Sequence, residues 1–80
     1  MKQQNTTPNI TLDLRGVACP LNFVKTKIQL EKIHSGQKLE VFLDSGEAIE
    51  SVPPSVIEEG HKILFQEQVA DYFRVIIEKN

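Results

Sequence analysis

Apolar and polar residues alternate with a period of two in four stretches of the chain, as in β-strands that bury one face. These stretches cover about residues 10–15, 38–44, 61–66 and 71–78. In the second stretch, Leu39, Val41 and Leu43 share one face. In the third, Ile63 and Phe65 do the same. The pattern therefore predicts four strands, each with an apolar face toward a common core.

A helical pattern separates the first two strands, over residues 20–34. The face that we expect to pack on the sheet carries Phe23, Thr26, Leu30 and Ile33. A second apolar stripe, roughly opposite, consists of Leu21, Val24 and Ile28. We favour packing of this second stripe against the next helix; the alternative is docking of a partner protein.

A second helical segment follows the break at Ser45-Gly46, and two adjacent prolines interrupt it. Proline lacks an N–H group and fits the first turn of a helix better than its interior. With Ser51 as the cap before Pro53-Pro54, we expect a short turn at 47–50 and the helix proper at 52–59.

The predicted order of elements is β-α-β-α-β-β. The first strand, helix and second strand form a right-handed crossover with parallel strands, and the last two strands form an antiparallel hairpin. We predict an α+β fold, a two-layer α/β sandwich with a mixed four-stranded sheet and both helices on one face. Residues 1–9 form a flexible tail before a single domain at 10–80. The open face of the sheet would show Phe42, Leu64, Tyr72 and Ile76. Two interpretations stay open: a weak homodimer or a partner covers these residues, or they are scattered apolar residues of the kind common on protein surfaces.

The stretch from Arg15 to Asn22 holds the single cysteine, at the junction between the first strand and the first helix. Gly16 supplies the turn, and Pro20 is expected at the first helical position. Cys19 then becomes the N-cap residue. Its sulfur would face the free N–H groups of the first turn and the positive end of the helix dipole, which favour a nucleophilic thiolate.

The composition of the chain limits the kinds of site, compartment and partner that are compatible with this cysteine. One cysteine excludes an internal disulfide and argues against a zinc site, and we expect no other metal and no cofactor. With no membrane span and no apolar signal-peptide core, we expect a cytoplasmic protein. Residues 1–38 carry six Lys or Arg against two Asp or Glu, whereas residues 39–80 carry three against nine. The acidic second half argues against nucleic acid. For the basic residues of the first half, among them Arg15 and Lys25, we favour a solvated surface, and docking of an acidic partner is the alternative.

The order of several short motifs resembles the TusA-type (SirA-like) sulfur-carrier and sulfurtransferase family. The matching motifs are Leu12-Asp13-Leu14-Arg15-Gly16, Cys19-Pro20, Gly36, Asp44, Val52-Pro53, Gly60-His61 and a last strand that ends in Lys79. The resemblance covers residues 10–79 and implies a two-layer sandwich without a bound cofactor. It also implies that Cys19 takes up sulfane sulfur as a persulfide from a cysteine desulfurase or rhodanese-like donor. An acceptor protein then receives the sulfur, as in tRNA thiolation or other sulfur metabolism.

One position departs from the family motif Cys-Pro-x-Pro, because this chain has Cys-Pro-Leu-Asn with Asn22 at the fourth position. Unlike proline, Asn22 has a backbone N–H, which we expect to point toward the sulfur and to favour the thiolate slightly. Three alternatives to a sulfur carrier stay open. They are a redox sensor, a regulatory or interaction module that has lost the relay, and a buried structural Cys19.

Overall fold

The computed structural model describes residues 8–80, and its elements follow the predicted order. They are β1 (Ile10–Asp13), α1 (Leu21–Lys32), β2 (Lys38–Asp44), α2 (Glu47–Glu58), β3 (Lys62–Val69) and β4 (Tyr72–Glu78). The α+β prediction is confirmed. Relative to the predicted bounds, β1 ends two residues earlier and β3 extends three residues further. None of the helices at residues 8–80 is long and apolar enough to cross a membrane.

The four strands form one mixed sheet in the order β1-β2-β4-β3. As predicted, β1 and β2 are parallel, and β3 and β4 are antiparallel. Asn9, assigned to the tail by its sequence, is tied to the start of β2. Its backbone N–H donates to the Lys38 carbonyl at 2.8 Å, and the Lys38 N–H donates to Asn9 Oδ1 at 2.8 Å. Residues 1–7 of the predicted tail lie outside the described residues.

Both helices pack on the same face of the sheet, and β2 is the centre of the core. Leu39, Val41 and Leu43 are completely buried there, as their alternation predicts. The helices and β4 supply most of the other buried side chains: Leu30, Ile33, Ala48, Val52, Val56, Val75 and Ile77. The hydrophobic seam of α1 is thus confirmed, with Phe23 partly buried at its edge.

The prediction for α2 is wrong, because one helix runs from Glu47 to Glu58 with both prolines inside it. Pro53 and Pro54 cannot donate the hydrogen bonds that would normally reach the carbonyls four residues earlier. Ser51 caps no helix here; its hydroxyl donates to the Glu47 carbonyl at 2.8 Å. Pro53 is buried, as is Val52 next to it, so burial of these apolar side chains offsets part of the lost hydrogen bonding.

A β-bulge in β3 overturns the predicted facing of two side chains. Ile63 pairs with Ile77, but the next paired residue, Phe65, lies opposite Ile76, which leaves Leu64 as the extra residue. One extra residue reverses the faces of all side chains that follow it. Phe65 therefore lies on the open face of the sheet instead of sharing the core face of Ile63.

The open face of the sheet carries a network of charged and polar side chains. Arg74 pairs with Glu40 and, at 3.1 Å, with Glu67. Glu40 also accepts a hydrogen bond from Thr11 at 2.9 Å, and its hydrogen bond with Arg74 raises the pKa of that guanidinium. Ile76, predicted to be exposed here, is only 1% exposed, since it lies in register with Glu40 on one side and with Phe65 on the other.

Candidate functional site around Cys19

The loop that carries Cys19 connects β1 to α1 and is held against the end of β2. The Leu14 N–H donates to the Phe42 carbonyl at 3.0 Å, and the Gly16 N–H donates to Asp44 Oδ2 at 2.7 Å. Gly16 has a φ of 81°, which glycine adopts without the strain that a side chain would cause. The loop thus meets the end of β2 just before α2 begins.

Cys19 itself is exposed, which excludes the alternative of a buried structural cysteine. Its sulfur lies 3.8 Å from the Ser51 hydroxyl oxygen, on α2. A pocket of about 180 Å³ opens beside it. The pocket is lined by Val17, Ala18, Cys19, Asn22, Asp44, Ser45, Glu47 and Ala48. The tertiary fold therefore brings the cysteine loop, the start of α1 and the β2–α2 junction together around one sulfur.

The predicted start of α1 is wrong by one residue. The helix begins at Leu21 with Pro20 as its N-cap, so Cys19 lies one residue before the cap. The Asn22 N–H donates to the Ala18 carbonyl at 3.1 Å. Because this donor is already used by the turn that leads into the helix, the expected support of a Cys19 thiolate by the Asn22 backbone is also wrong.

The side chain of Asn22, whose contacts its sequence position did not predict, is 1% exposed and lines the pocket. Its Oδ1 accepts the Phe23 N–H at 2.7 Å, and its backbone carbonyl accepts the Thr26 hydroxyl at 2.9 Å. Its Nδ2 has no hydrogen-bond partner among residues 8–80. An asparagine at the fourth position of the Cys-Pro-Leu-Asn motif gives no signal of such burial in the sequence.

Two acidic residues that line the pocket, Asp44 and Glu47, are also absent from the site residues that the sequence predicts. Asp44 appeared in the sequence only as a motif residue after the second strand. The structure shows that its carboxylate orients the cysteine loop through Gly16. The sequence signal that could have located both residues is the Asp44-Ser45-Gly46 break, because strand ends on one edge of a sheet lie near each other.

Arg15 lies on the open face of the sheet, away from the other predicted docking residues on α1. Its guanidinium contacts Asp13 at 2.8 Å and lies 4.6 Å from the centre of the Tyr72 ring. Hydrogen bonds from the Arg15 side chain and backbone lower the pKa of Asp13 to about 2. The structure therefore does not bring Arg15 together with Leu21, Val24, Lys25 and Ile28.

The second apolar stripe of α1 is exposed, so the favoured prediction that it packs against the next helix is wrong. Leu21, Val24 and Ile28 are 51%, 43% and 48% exposed. Lys25 is exposed on the same side of the helix, four residues after Leu21. An ion pair at 3.5 Å joins Lys27 of α1 to Glu59, the residue that follows α2.

Comparison with known proteins identifies the family. The family model described as sulfurtransferase TusA matches residues 10–79. The chain belongs to the TusA family. The resemblance seen in the motifs around Cys19 is thereby confirmed.

Relatives and a solved structure agree with membership in the TusA family. A protein of Archaeoglobus fulgidus named "Putative sulfur carrier protein" is 44% identical over 63 residues, which cover 79% of this chain and 72% of that protein. A Thermotoga maritima protein of the same name is 41% identical over 59 residues, covering 74% and 75%. The crystal structure of a SirA-like protein from Desulfitobacterium hafniense has a TM-score of 0.74 at 21% identity. It covers 86% of this chain and 95% of its own, and it shows the shared fold.

Proposed function

We propose that this protein is a sulfur carrier that takes up sulfane sulfur as a persulfide on Cys19 and passes it to an acceptor protein. The observation that carries the proposal is the exposed sulfur of Cys19 beside a pocket. A relay cysteine has to be reached by two large proteins in turn, so an exposed sulfur at the end of a loop suits that task. Membership in the TusA family supports the same chemistry.

Each step of the proposed transfer exchanges one S–S bond for another, so no cofactor is needed. The Cys19 thiolate attacks the terminal sulfur of a persulfide on the donor protein. A new S–S bond forms on Cys19, the S–S bond of the donor breaks, and the donor cysteine leaves as a thiolate. The acceptor repeats the same exchange on the Cys19 persulfide. In this proposal the acceptor then delivers the sulfur to tRNA thiolation or to other sulfur metabolism. The transfer takes place in the cytoplasm.

Intact mass spectrometry tests the proposal directly. After incubation with a cysteine desulfurase and cysteine, or with a rhodanese and thiosulfate, we expect a mass gain of one sulfur atom that a thiol reductant reverses. Protein alkylated on Cys19 beforehand is the control and should gain nothing. If none of several donors produces the gain, the carrier function is wrong, and a regulatory or interaction module that kept the fold becomes the better description.

We further propose that the exposed stripe on α1, formed by Leu21, Val24 and Ile28, is where donor or acceptor proteins dock. The stripe begins two residues after Cys19, so a protein bound to it would also reach the sulfur. Lys25 lies on the same side of the helix and adds positive charge. The partner that fits is a protein with an apolar patch bordered by acidic side chains.

Val24→Asp should impair sulfur transfer while leaving the fold intact. An exposed apolar residue at the centre of an interface typically contributes about 1–2 kcal/mol, so the KM for the donor protein should rise roughly ten-fold. The matched control is Leu64→Asp, which changes an apolar residue of similar exposure on β3. Initial loading rates at several donor concentrations provide the measurement. Equal KM values for the two variants would show that partners bind elsewhere.

A further inference from the structure

The side-chain amide nitrogen of Asn22 has no hydrogen-bond partner among the described residues, and the sulfur transfer proposed above gives it no role. A buried N–H group without a hydrogen-bond partner costs free energy, so most such groups in proteins are paired. Here Nδ2 is shielded from solvent and has no partner among the described residues, in a side chain that forms part of the wall beside Cys19. An arrangement of this kind favours a ligand that supplies the missing acceptor.

The orientation of the amide follows from its other contact. Asn22 Oδ1 accepts the Phe23 N–H at 2.7 Å. Turning the amide around would place an NH₂ group against that N–H donor, which would leave both without an acceptor. The oxygen is therefore held by the first turn of α1, and Nδ2 is the atom left to donate.

We propose that Asn22 Nδ2 donates a hydrogen bond to the terminal sulfur of a persulfide on Cys19 and holds that sulfur in the pocket. The inference rests on the proposed function and adds a binding site for the sulfur cargo. Asn22 is then a residue that contacts the transferred atom, whereas the family motif has a proline at this position, which has no donor.

The charges around the pocket explain why such a donor is useful. A deprotonated persulfide carries its negative charge on the terminal sulfur, and the residues that line the pocket include the acidic Asp44 and Glu47. Like charges disfavour one another in a partly enclosed site. The Asp44 carboxylate already accepts the Gly16 N–H, and the Asn22 amide would supply a donor for the sulfur itself. A neutral amide binds the anion without the strength of a lysine, so the sulfur remains free to leave.

Chemical loading makes the test independent of any donor enzyme. An aromatic disulfide, which is the oxidant, first converts Cys19 to a mixed disulfide and releases one aromatic thiolate. Hydrosulfide then attacks the Cys19 sulfur: a new S–S bond forms, the mixed S–S bond breaks, and the second aromatic thiolate leaves with the bonding electron pair. The protons of the thiol and of hydrosulfide pass to the buffer. Intact mass confirms that one sulfur atom has been added.

The first readout uses the unmodified sequence. In nitrogen–proton correlation spectra, the side-chain NH₂ signals of Asn22, assigned by their loss in Asn22→Leu, should shift strongly when the persulfide forms. Signals of the other asparagine side chains, such as Asn80, should stay in place. A purely structural asparagine would also stay in place, so unshifted Asn22 signals in fully loaded protein would overturn the proposal.

The second readout is the lifetime of the persulfide. Asn22→Leu keeps the branched shape of the side chain and removes the donor. Its persulfide should be lost roughly ten-fold faster, since hydrogen bonds to charged groups are among the strong ones. Asn80→Leu, the same substitution at an exposed asparagine that does not line the pocket, should keep the lifetime of the wild type. Equal lifetimes in Asn22→Leu and the wild type would contradict the proposal. The two proposals can fail separately. If protein donors do not load Cys19 but the Asn22 signals still shift after chemical loading, the sulfur relay is refuted and the sulfur-binding site at Asn22 is supported.

Discussion

Replacing Cys19 by serine is expected to abolish sulfur loading from every donor while leaving the melting temperature unchanged. The chain has no second cysteine, and a serine hydroxyl cannot form the S–S bond on which the relay depends. Cys19 is exposed, and its polar contact with Ser51 is a long one at 3.8 Å, so the folded state loses almost no packing. The variant therefore separates the chemistry of the sulfur from the stability of the fold.

Intact mass spectrometry and a thermal melt on the same sample measure both expectations. Ser51→Ala is the matched control, because it alters the other partner of the same contact and keeps the sulfur; it should load like the wild type. A sulfur-sized mass gain on Cys19→Ser would mean that sulfur is carried at another residue. A loss of several degrees in its melting temperature would show that the cysteine also has a structural role.

Leu39→Ala is expected to lower the free energy of unfolding by about 3 kcal/mol, the largest effect on stability that we predict for a single substitution. Leu39 is completely buried on β2, where it pairs with Ile10 of β1 on one side and Ile77 of β4 on the other. The rigid sheet around it cannot close the cavity that the smaller side chain leaves. A domain of this size typically has only about 5–10 kcal/mol of stability, so the melting temperature should fall by about 15 °C.

Urea unfolding followed by circular dichroism checks this value. Leu64→Ala removes the same atoms from a side chain that is 38% exposed at the bulge of β3, and it should cost less than about 1 kcal/mol. If Leu39→Ala were as mild as the control, the centre of β2 would not be the packed core that the structure shows.

The strands and the first helix could be predicted because apolar residues recur along them at the spacing of an element that is buried on one face. Leu39, Val41 and Leu43 alternate on β2, and each is buried. The prediction for α2 failed because it rested on the local preference of proline for the first turn of a helix, which tertiary packing outweighed. Pro53 inside α2 lacks the N–H group that a helix interior normally uses, yet it is buried along with Val52 in the middle of the helix.

The bulge in β3 is a second case in which local pattern and fold disagree. The alternation of apolar and polar residues around Leu64 does not predict the extra residue, because the position of a bulge depends on pairing with the neighbouring strand. The bulge moved Phe65 to the open face, where the Arg74 guanidinium lies 5.4 Å from the centre of its ring. The burial of Ile76 on the same face could not be read from β4 alone.

At the site, the reactive atom was predictable and its surroundings were not. A single cysteine between a strand and a helix points to Cys19 as the residue with chemistry, and the structure places it exposed beside a pocket. The exact start of α1 differed by one residue, and the backbone donor of Asn22 turned out to be bound to Ala18. Such details depend on how a turn closes, which spacing along the chain does not specify.

The sequence by itself determined the order of the six elements, the buried face of β2 and the residue that carries the reactive sulfur, because periodicity and residue type are properties of the chain. Only the tertiary structure decided that Leu21, Val24 and Ile28 are exposed and that Arg15 lies apart from them. It also decided that the Asn22 side chain is buried and lines the same pocket as Cys19. The physical reason is that exposure and hydrogen-bond partners depend on groups brought together from β1, β2, α1 and α2, which are distant along the chain.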